Sequence, residues 1–375
     1  MMKLVPQSAP YIRKPVSVAR MMADVIIALL PVTVFAMVQN GWGSIYVLLI
    51  SLVTMVGSEL VANLFIKWPT GMKFKEMFSK EGFAKVREGY TINNFLAPII
   101  SALIFALIMP AYCAPYVVFV GALFGMVIGK MVFGGLGKNI FNPAAVGRIF
   151  VAICFGDKLK SAYTMQYAFT QRFVDVTAGG TPLYFTDGLK LSNINGAYDL
   201  IDLFIGSVPG SMGEVSAACI LIGAIYLFAR RSADLRAALS YILSFAAIML
   251  VACISFSVKF GGNIFNMWMY QILAGGMLFA GVFMITDPVT SPVSKFGRVV
   301  YGATAGTITV FIRIMGAYPE GAAFSILIVN MLAPCIDYFM RGKKNTYTWK
   351  QCLGLACALV IAGCIISASV MGGWF

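Results

Sequence analysis

The chain contains no histidine, and only 15 of its 375 residues are acidic. Without imidazole the usual zinc sets cannot form, and the commonest general base is missing. No Cys-x-x-Cys pair occurs either: Cys113, Cys154, Cys219, Cys253 and Cys335 are scattered, and Cys352, Cys357 and Cys364 lie five and seven residues apart. Such cysteines read as small apolar residues, and no metal site is expected. Charged residues make up 11% of the chain, against about 25% in a soluble domain, which excludes that class. What fills the chain instead is 60% hydrophobic residues, with a mean hydropathy of +0.86. The composition predicts an integral membrane protein whose chemistry needs a borrowed group.

Apolar runs of about 20 residues, the length that spans a bilayer, fall near 20–39, 43–66, 94–112, 115–135, 143–156, 213–229, 236–257, 264–286, 298–316, 320–340 and 353–372. The first follows Lys3, Arg13, Lys14 and Arg20 but contains Asp24 and Pro31, so it reads as a retained helix and not as a leader. With a cytoplasmic N-terminus, 22 of the 28 basic residues fall inside and only Lys158, Lys160, Arg172, Lys190, Lys259 and Arg313 outside. That asymmetry is the positive-inside pattern. It explains the net charge of +13 through the lipid bilayer, with no nucleic acid partner. The organisation expected is a cytoplasmic N-terminus (1–19), a first five-helix membrane repeat (20–156), an outer loop (157–212), a second five-helix repeat (213–340), and a cytoplasmic linker with an additional helix (341–375).

The two halves share a weak pattern. Gly121 to Phe124, Gly134 to Pro143 and Gly147-Arg148 find counterparts in Gly275 to Phe279, Thr286 to Pro292 and Gly297-Arg298. An odd number of helices per half makes the repeats inverted, an arrangement that builds ligand sites from helices broken by Gly and Pro. The fold expected is therefore all-α and polytopic, with ten or eleven transmembrane helices.

Few residues can carry chemistry, and no catalytic residue stands out. The stretch Gly134–Pro143 combines turn formers with Asn139 and Asn142; it is either a broken-helix ligand site, where irregular backbone survives only inside protein, or an ordinary turn with an Asn cap. Carboxylates within apolar runs are costly and tend to be functional. Glu59 is the deepest, and Asp24 and Asp337 follow it as candidates for a cation path. Glu214 opens a helix, where its charge suits the macrodipole. In the outer loop, Asp175-Val176-Thr177-Ala178-Gly179-Gly180-Thr181-Pro182-Leu183 sets one hydroxyl beside two glycines. That is a plain turn or a modification target.

This last segment resembles the flavinylation motif of the RnfD/NqrB family, roughly Asp-x-x-Ser/Thr-Gly-Ala-Thr. It departs from it at Ala178 and Gly180, with Thr177 able to supply a displaced hydroxyl. Gly134 to Arg148, Phe204 to Ser216, Thr286 to Pro292, Tyr318 to Gly321 and Ala333 to Asp337 are also similar to family segments. The opening, Ser8 to Pro15 and Arg20 to Pro31, looks more like RnfD; Arg87 to Tyr90 and the Gly-Lys-Asn run lean toward NqrB. The resemblance implies a ten-helix core of two inverted repeats, similar to urea transporters, with the last helix beyond it. It further implies FMN in phosphoester linkage to Thr181, placed there by a flavin transferase, with Asp175, Thr177, Gly179 and Gly180 around it. Asn139 and Asn142 match positions associated with a second, non-covalent flavin, riboflavin in NqrB. The implied protein is one subunit of a hetero-oligomeric redox-driven sodium or proton pump in the bacterial cytoplasmic membrane, relaying electrons between NADH and ferredoxin sides. The flavin loop would face outward. An NqrB-like subunit of an NADH:quinone oxidoreductase and, in a different class, a urea-transporter-like solute channel are the alternatives.

Overall fold

The structure, a computed structural model, describes residues 17–66, 92–164, 183, 199–316, 321–340 and 348–373. Among these residues the protein is all-α, and each of the eleven expected apolar runs contains a helix. The first half holds α1 (Val18–Asn40), α2 (Trp42–Ile66), α3 (Ile92–Leu107), α4 (Pro115–Met126) and α5 (Pro143–Cys154). Two short helices follow, α6 (Gly156–Thr164) and α7 (Leu200–Ile205). The second half holds α8 (Ala217–Arg230), α9 (Leu235–Phe260), α10 (Ile264–Leu273), α11 (Met277–Phe279), α12 (Lys295–Met315) and α13 (Gly321–Met340). The last helix is α14 (Trp349–Gly372). Five of these are long and apolar enough to cross a membrane, and α10 with the helix after it makes a sixth, bent by 55°.

Local chemistry accounts for the helix ends. Ser17, Asn142, Ser216, Asp234, Asn263 and Ser294 each accept a backbone N–H in the first turn of the following helix, satisfying donors that a helix cannot pair internally. Pro143 sits at the first position of α5, where its missing N–H costs nothing.

Both halves contain a wide-turn π segment at the same place in their pattern. Helix α4 runs into Val127–Met131, and α11 runs into Ala280–Met284. A turn follows each, glycine-rich in the first half and with two prolines in the second, then a helix carrying the Gly-Arg pair. Single π turns inside helices concentrate at functional sites. In the first half the turn is made by Gly134, Gly135 and Gly137, all at positive φ (107°, 86° and 80°), which a side chain would strain.

Small residues set the closest helix contacts. A Cβ added at Gly125 would stand 2.5 Å from the Pro143 carbonyl oxygen, so α4 and α5 touch backbone to backbone. Gly302 and Gly306 of α12 do the same on α9, against the Ala237 and Tyr241 carbonyl oxygens. Membrane helices associate through such small-xxx-small seams because water offers them no hydrophobic drive. The halves meet where Gly223 of α8 lies under the Ala28 carbonyl of α1 and where α13 packs on α5. Helix α14 is bolted to α9 by a 2.8 Å hydrogen bond between Ser255 and Ser367. Lys259 adds to it by donating to the Val370 and Met371 carbonyls at the end of α14.

Two details correct the charge count. Lys130 and Arg148, counted as inside loop residues, are buried in the helical body at 2% and 6% exposure, as is Arg313 at 5% on the other side. They carry no topological information, and the bias among the remaining basic residues keeps its direction. The start of the sixth apolar run also differs: the run was expected from 213 with Glu214 opening the helix, yet α8 begins at Ala217, and residues 210–216 are non-helical although 210–217 are all buried. Their backbone is satisfied across the fold, with Met212 N–H donating to the Met109 oxygen (3.1 Å) and Gly213 N–H to the Leu107 oxygen (2.6 Å).

Candidate functional site

Asp175, Thr177, Gly179, Gly180 and Thr181 lie outside the described residues. Leu183, two positions after Thr181, does not. It is 4% exposed, in a small apolar cluster with Leu203, Val208, Val215, Tyr270 and Ala274. A Cβ at Gly275, in the break between α10 and α11, would stand 2.6 Å from Leu183 Cδ1. Gly275 has φ of 71°, so both its backbone and the room for Leu183 require glycine there. Glu214 lies against the next residue: a Cβ at Gly276 would run into its carboxylate. A small cleft lined by Leu203, Val208, Glu214, Leu273, Ala274 and Gly275 opens beside this cluster. Arg313 closes the break by donating to the Gln271 (2.7 Å) and Ala274 (3.2 Å) carbonyls.

Asn139 and Asn142 both belong to the turn after the first π segment and are 8% and 4% exposed. Asn139 Nδ2 donates to the Phe141 carbonyl at 3.0 Å, and Asn142 Oδ1 caps α5 by accepting from Ala144 N–H at 3.0 Å. The cap reading and the ligand reading are thus compatible. Among the described residues Asn139 keeps its amide oxygen and Asn142 its amide nitrogen. One acceptor and one donor are what an imide-type heterocycle edge requires, so the residues present fit a flavin. The Asn142 backbone N–H is itself bonded, to Asn330 of α13, when the Asn330 amide is turned so that its oxygen accepts at 3.1 Å and its nitrogen donates to the Tyr301 hydroxyl. The opposite orientation would set Asn330 Nδ2 against that N–H. The turn is therefore held by the second half.

The three carboxylates expected on a cation path do not converge. Asp24 is 4% exposed and accepts from Tyr226 Oη (3.2 Å), Arg230 (3.2 Å) and Ser232 Oγ (2.5 Å), which ties α1 to the end of α8. Asp337 accepts the Val293 N–H at 3.0 Å and 3.3 Å, bracing the turn before α12. Glu59 is fully buried and pairs with Lys130 at 2.6 Å. At the same turn as Asp337, Arg298 donates to the Pro292 carbonyl (2.8 Å) and pairs with Asp234. Burial pushes the Asp234 carboxyl up, but the Arg236 N–H and the Arg298 and Arg236 charges outweigh it and hold its pKa below the usual range.

Lys130, Tyr301 and Asn330 were not singled out from sequence. Lys130 had a readable signal, a lone ammonium five residues inside the end of an apolar run. Among the described residues no group of His, Cys, Asp and Glu is arranged to hold a metal ion.

The chain is 30% identical to the D component of the Na(+)-translocating ferredoxin:NAD(+) oxidoreductase complex of Acetobacterium woodii, over 91% of this chain and 95% of that protein. It is 27% identical to the D component of the ion-translocating oxidoreductase complex of Stutzerimonas stutzeri, over 87% and 92%. It is 35% identical to the B component of the Na(+)-translocating NADH-quinone reductase of Chromohalobacter salexigens, but over 68% of this chain and only 60% of that longer protein. A family match runs over residues 5–346, ending just before α14. The chain belongs to the NQR2, RnfD, RnfE family.

Proposed function

We propose that this protein is the flavin-carrying membrane subunit of an Rnf-type ion-translocating electron transport complex. The observation that carries this reading is the end-to-end correspondence with the Acetobacterium woodii relative, 91% of this chain against 95% of that protein, where the Chromohalobacter salexigens relative is covered to 60%. FMN is esterified to Thr181 by a flavin transferase, and a second flavin is held non-covalently at the turn of Asn139 and Asn142. Bound flavin supplies one- and two-electron transfer, while the protein sets its position and surroundings. Asn139 and Asn142 offer an acceptor and a donor to a ring edge, and Leu183 fixes the chain just after Thr181. Glu59, Asp24 and Asp337 are carboxylates available to a sodium or proton path, and the other subunits of the complex are the partners. The N-terminus is cytoplasmic and the Thr181 loop faces outward.

The deciding experiment is flavin fluorescence of the denatured, gel-separated full chain, coexpressed with and without a flavin transferase. A fluorescent band only with the transferase is expected. A dark band with the transferase present overturns the covalent-flavin reading.

Leu183 provides a second test. Its burial among five apolar neighbours contributes roughly 2 kcal/mol, which a carboxylate forfeits. Leu183→Asp is expected to leave the helical body folded while lowering flavin labelling by about tenfold, a loss of ~1.4 kcal/mol. Labelling equal to wild type would show that the anchor is irrelevant to the loop.

A further inference from the structure

The loop that joins α8 to α9 carries Arg230, Arg231 and Arg236, all exposed. Arg230 pairs with Asp24 of α1 at 3.2 Å, and Ser232 Oγ donates to the same carboxylate. Arg236 pairs with Asp234 at 3.7 Å, and Arg298 of α12 holds Asp234 from the other side. Arg20 stands exposed on α1 one turn before Asp24. Five arginines thus face two carboxylates, and both carboxylates are already taken. Arg231 is the odd one: among the described residues its guanidinium has neither an ion pair nor a hydrogen bond. It also ends α8 in the left-handed region, with φ of 54° and ψ of 31°, and no other non-glycine described residue has a positive φ. Its N–H donates to the Phe228 carbonyl and that of Ser232 to the Leu227 carbonyl, both at 3.1 Å. Helices that end this way usually have glycine there, because a Cβ crowds the backbone. Strain kept for a side chain that bonds nothing within the fold points to something outside it. Beside this loop α9 exposes Leu235, Leu239 and Leu243, one turn apart, and α8 exposes Ile222 and Ile225.

We propose that Arg231 binds the headgroup phosphate of an anionic phospholipid, with an acyl chain lying along Leu235, Leu239 and Leu243. A guanidinium presents a planar fork of donors that matches two phosphate oxygens. The cations stand where a leucine stripe of membrane-facing helix ends, which is the depth at which lipid phosphates lie. Arg20 and Arg236 add to the positive field there. That field selects against zwitterionic lipids, whose own ammonium is repelled. Asp24 and Asp234 shape the site by holding Arg230 and Arg298 back, which leaves Arg231 to face outward. An acidic soluble partner would satisfy the arginines, but it would leave the leucines below them uncovered. The assignment requires only that the chain sits in a bilayer and is independent of the flavin reading.

The test uses the full chain in its assembled complex, stripped of lipid in detergent. Phosphatidylglycerol, phosphatidylcholine and inorganic phosphate are added in separate titrations, and bound molecules are counted by native mass spectrometry. Wild type is expected to retain phosphatidylglycerol at concentrations at least tenfold below those needed for phosphatidylcholine, and to retain no inorganic phosphate. Arg231→Gly separates binding from folding, since glycine is at ease in the left-handed region. It is expected to melt at or above the wild-type temperature without lipid, yet to retain one phosphatidylglycerol fewer. Arg231→Lys keeps the charge and is expected to retain that lipid more weakly than wild type. An Arg231→Gly complex with the wild-type count overturns the assignment, as does a wild type that holds phosphatidylcholine equally well. Retention of inorganic phosphate in place of the lipid would make this an anion site and overturn the lipid reading. A glycine variant that keeps its lipid but sheds a neighbouring subunit would assign Arg231 to a protein partner instead. A fall in its lipid-free melting temperature would make the arginine structural and overturn the proposal as well.

Discussion

Thr181→Val is expected to abolish covalent flavin completely, leaving a dark band of normal size and abundance beside a fluorescent wild type. Valine matches threonine in volume and branching, so the substitution removes only the hydroxyl oxygen that the proposed phosphoester would use. Two glycines precede that hydroxyl, and the chain two residues later is anchored by the buried Leu183. Glycines before the hydroxyl in sequence and a buried anchor after it suit the proposed modification. Ala178 stands where the family motif has a hydroxyl, and Thr177 is the neighbour able to replace it. Thr177→Ala is therefore expected to slow labelling about fivefold, the loss of one neutral hydrogen bond worth ~1 kcal/mol, without abolishing it. Ala178→Ser in that background is expected to restore the rate. A fluorescent Thr181→Val band would move the attachment to another residue, with Thr177 the first to examine by peptide mapping.

The helical frame was legible because burying backbone in lipid demands helices of a set length, and apolar runs of that length are conspicuous in this chain. The family motifs were legible for a related reason: Gly, Pro and Asn mark the places where the helices break. Partners distant in sequence were not legible. Asp24 meets Ser232 across 208 positions, and Asp337 meets the Val293 backbone across 44. Hydropathy places a carboxylate at a depth but says nothing of what lies opposite. Lys130 was misread because a charge near the end of an apolar run looks like a loop residue, and a π turn leaves no trace in a 3.6-residue pattern. The 210–216 stretch was divided in sequence between the outer loop, to 212, and a helix opened by Glu214, and it is neither. It is buried because its N–H groups find the carbonyls that the end of α3 leaves unpaired.

The frame itself is most vulnerable at the seam of α9 and α12. Gly306→Leu places a Cβ against Ser244 Oγ, 2.5 Å from the Tyr241 carbonyl oxygen and 3.0 Å from the Phe245 nitrogen. The serine hydroxyl can rotate away, but the backbone atoms cannot, so the helices must separate. Separation loosens contacts beyond the seam. Tyr241 shares a hydrogen bond with Thr309, which donates to Ser325 of α13, and Arg313 two turns along α12 packs over the Phe245 ring. Overpacking a core costs about 1–3 kcal/mol when side chains can adjust, and this site sits at or above the top of that range. Against a net stability of roughly 5–15 kcal/mol, most of the protein is expected to leave the monodisperse peak in detergent size exclusion, with a clear drop in melting temperature. Gly57→Leu is the matched control: nothing lies within 4 Å of its added Cβ, and α2 keeps its helix there. That variant is expected to remain within about 0.5 kcal/mol of wild type, the range of ordinary surface changes. Equal behaviour of the two variants would mean that α9 and α12 do not touch backbone to backbone. The path from the Gly275 break through Arg313 to the Tyr241 network would then need a different support.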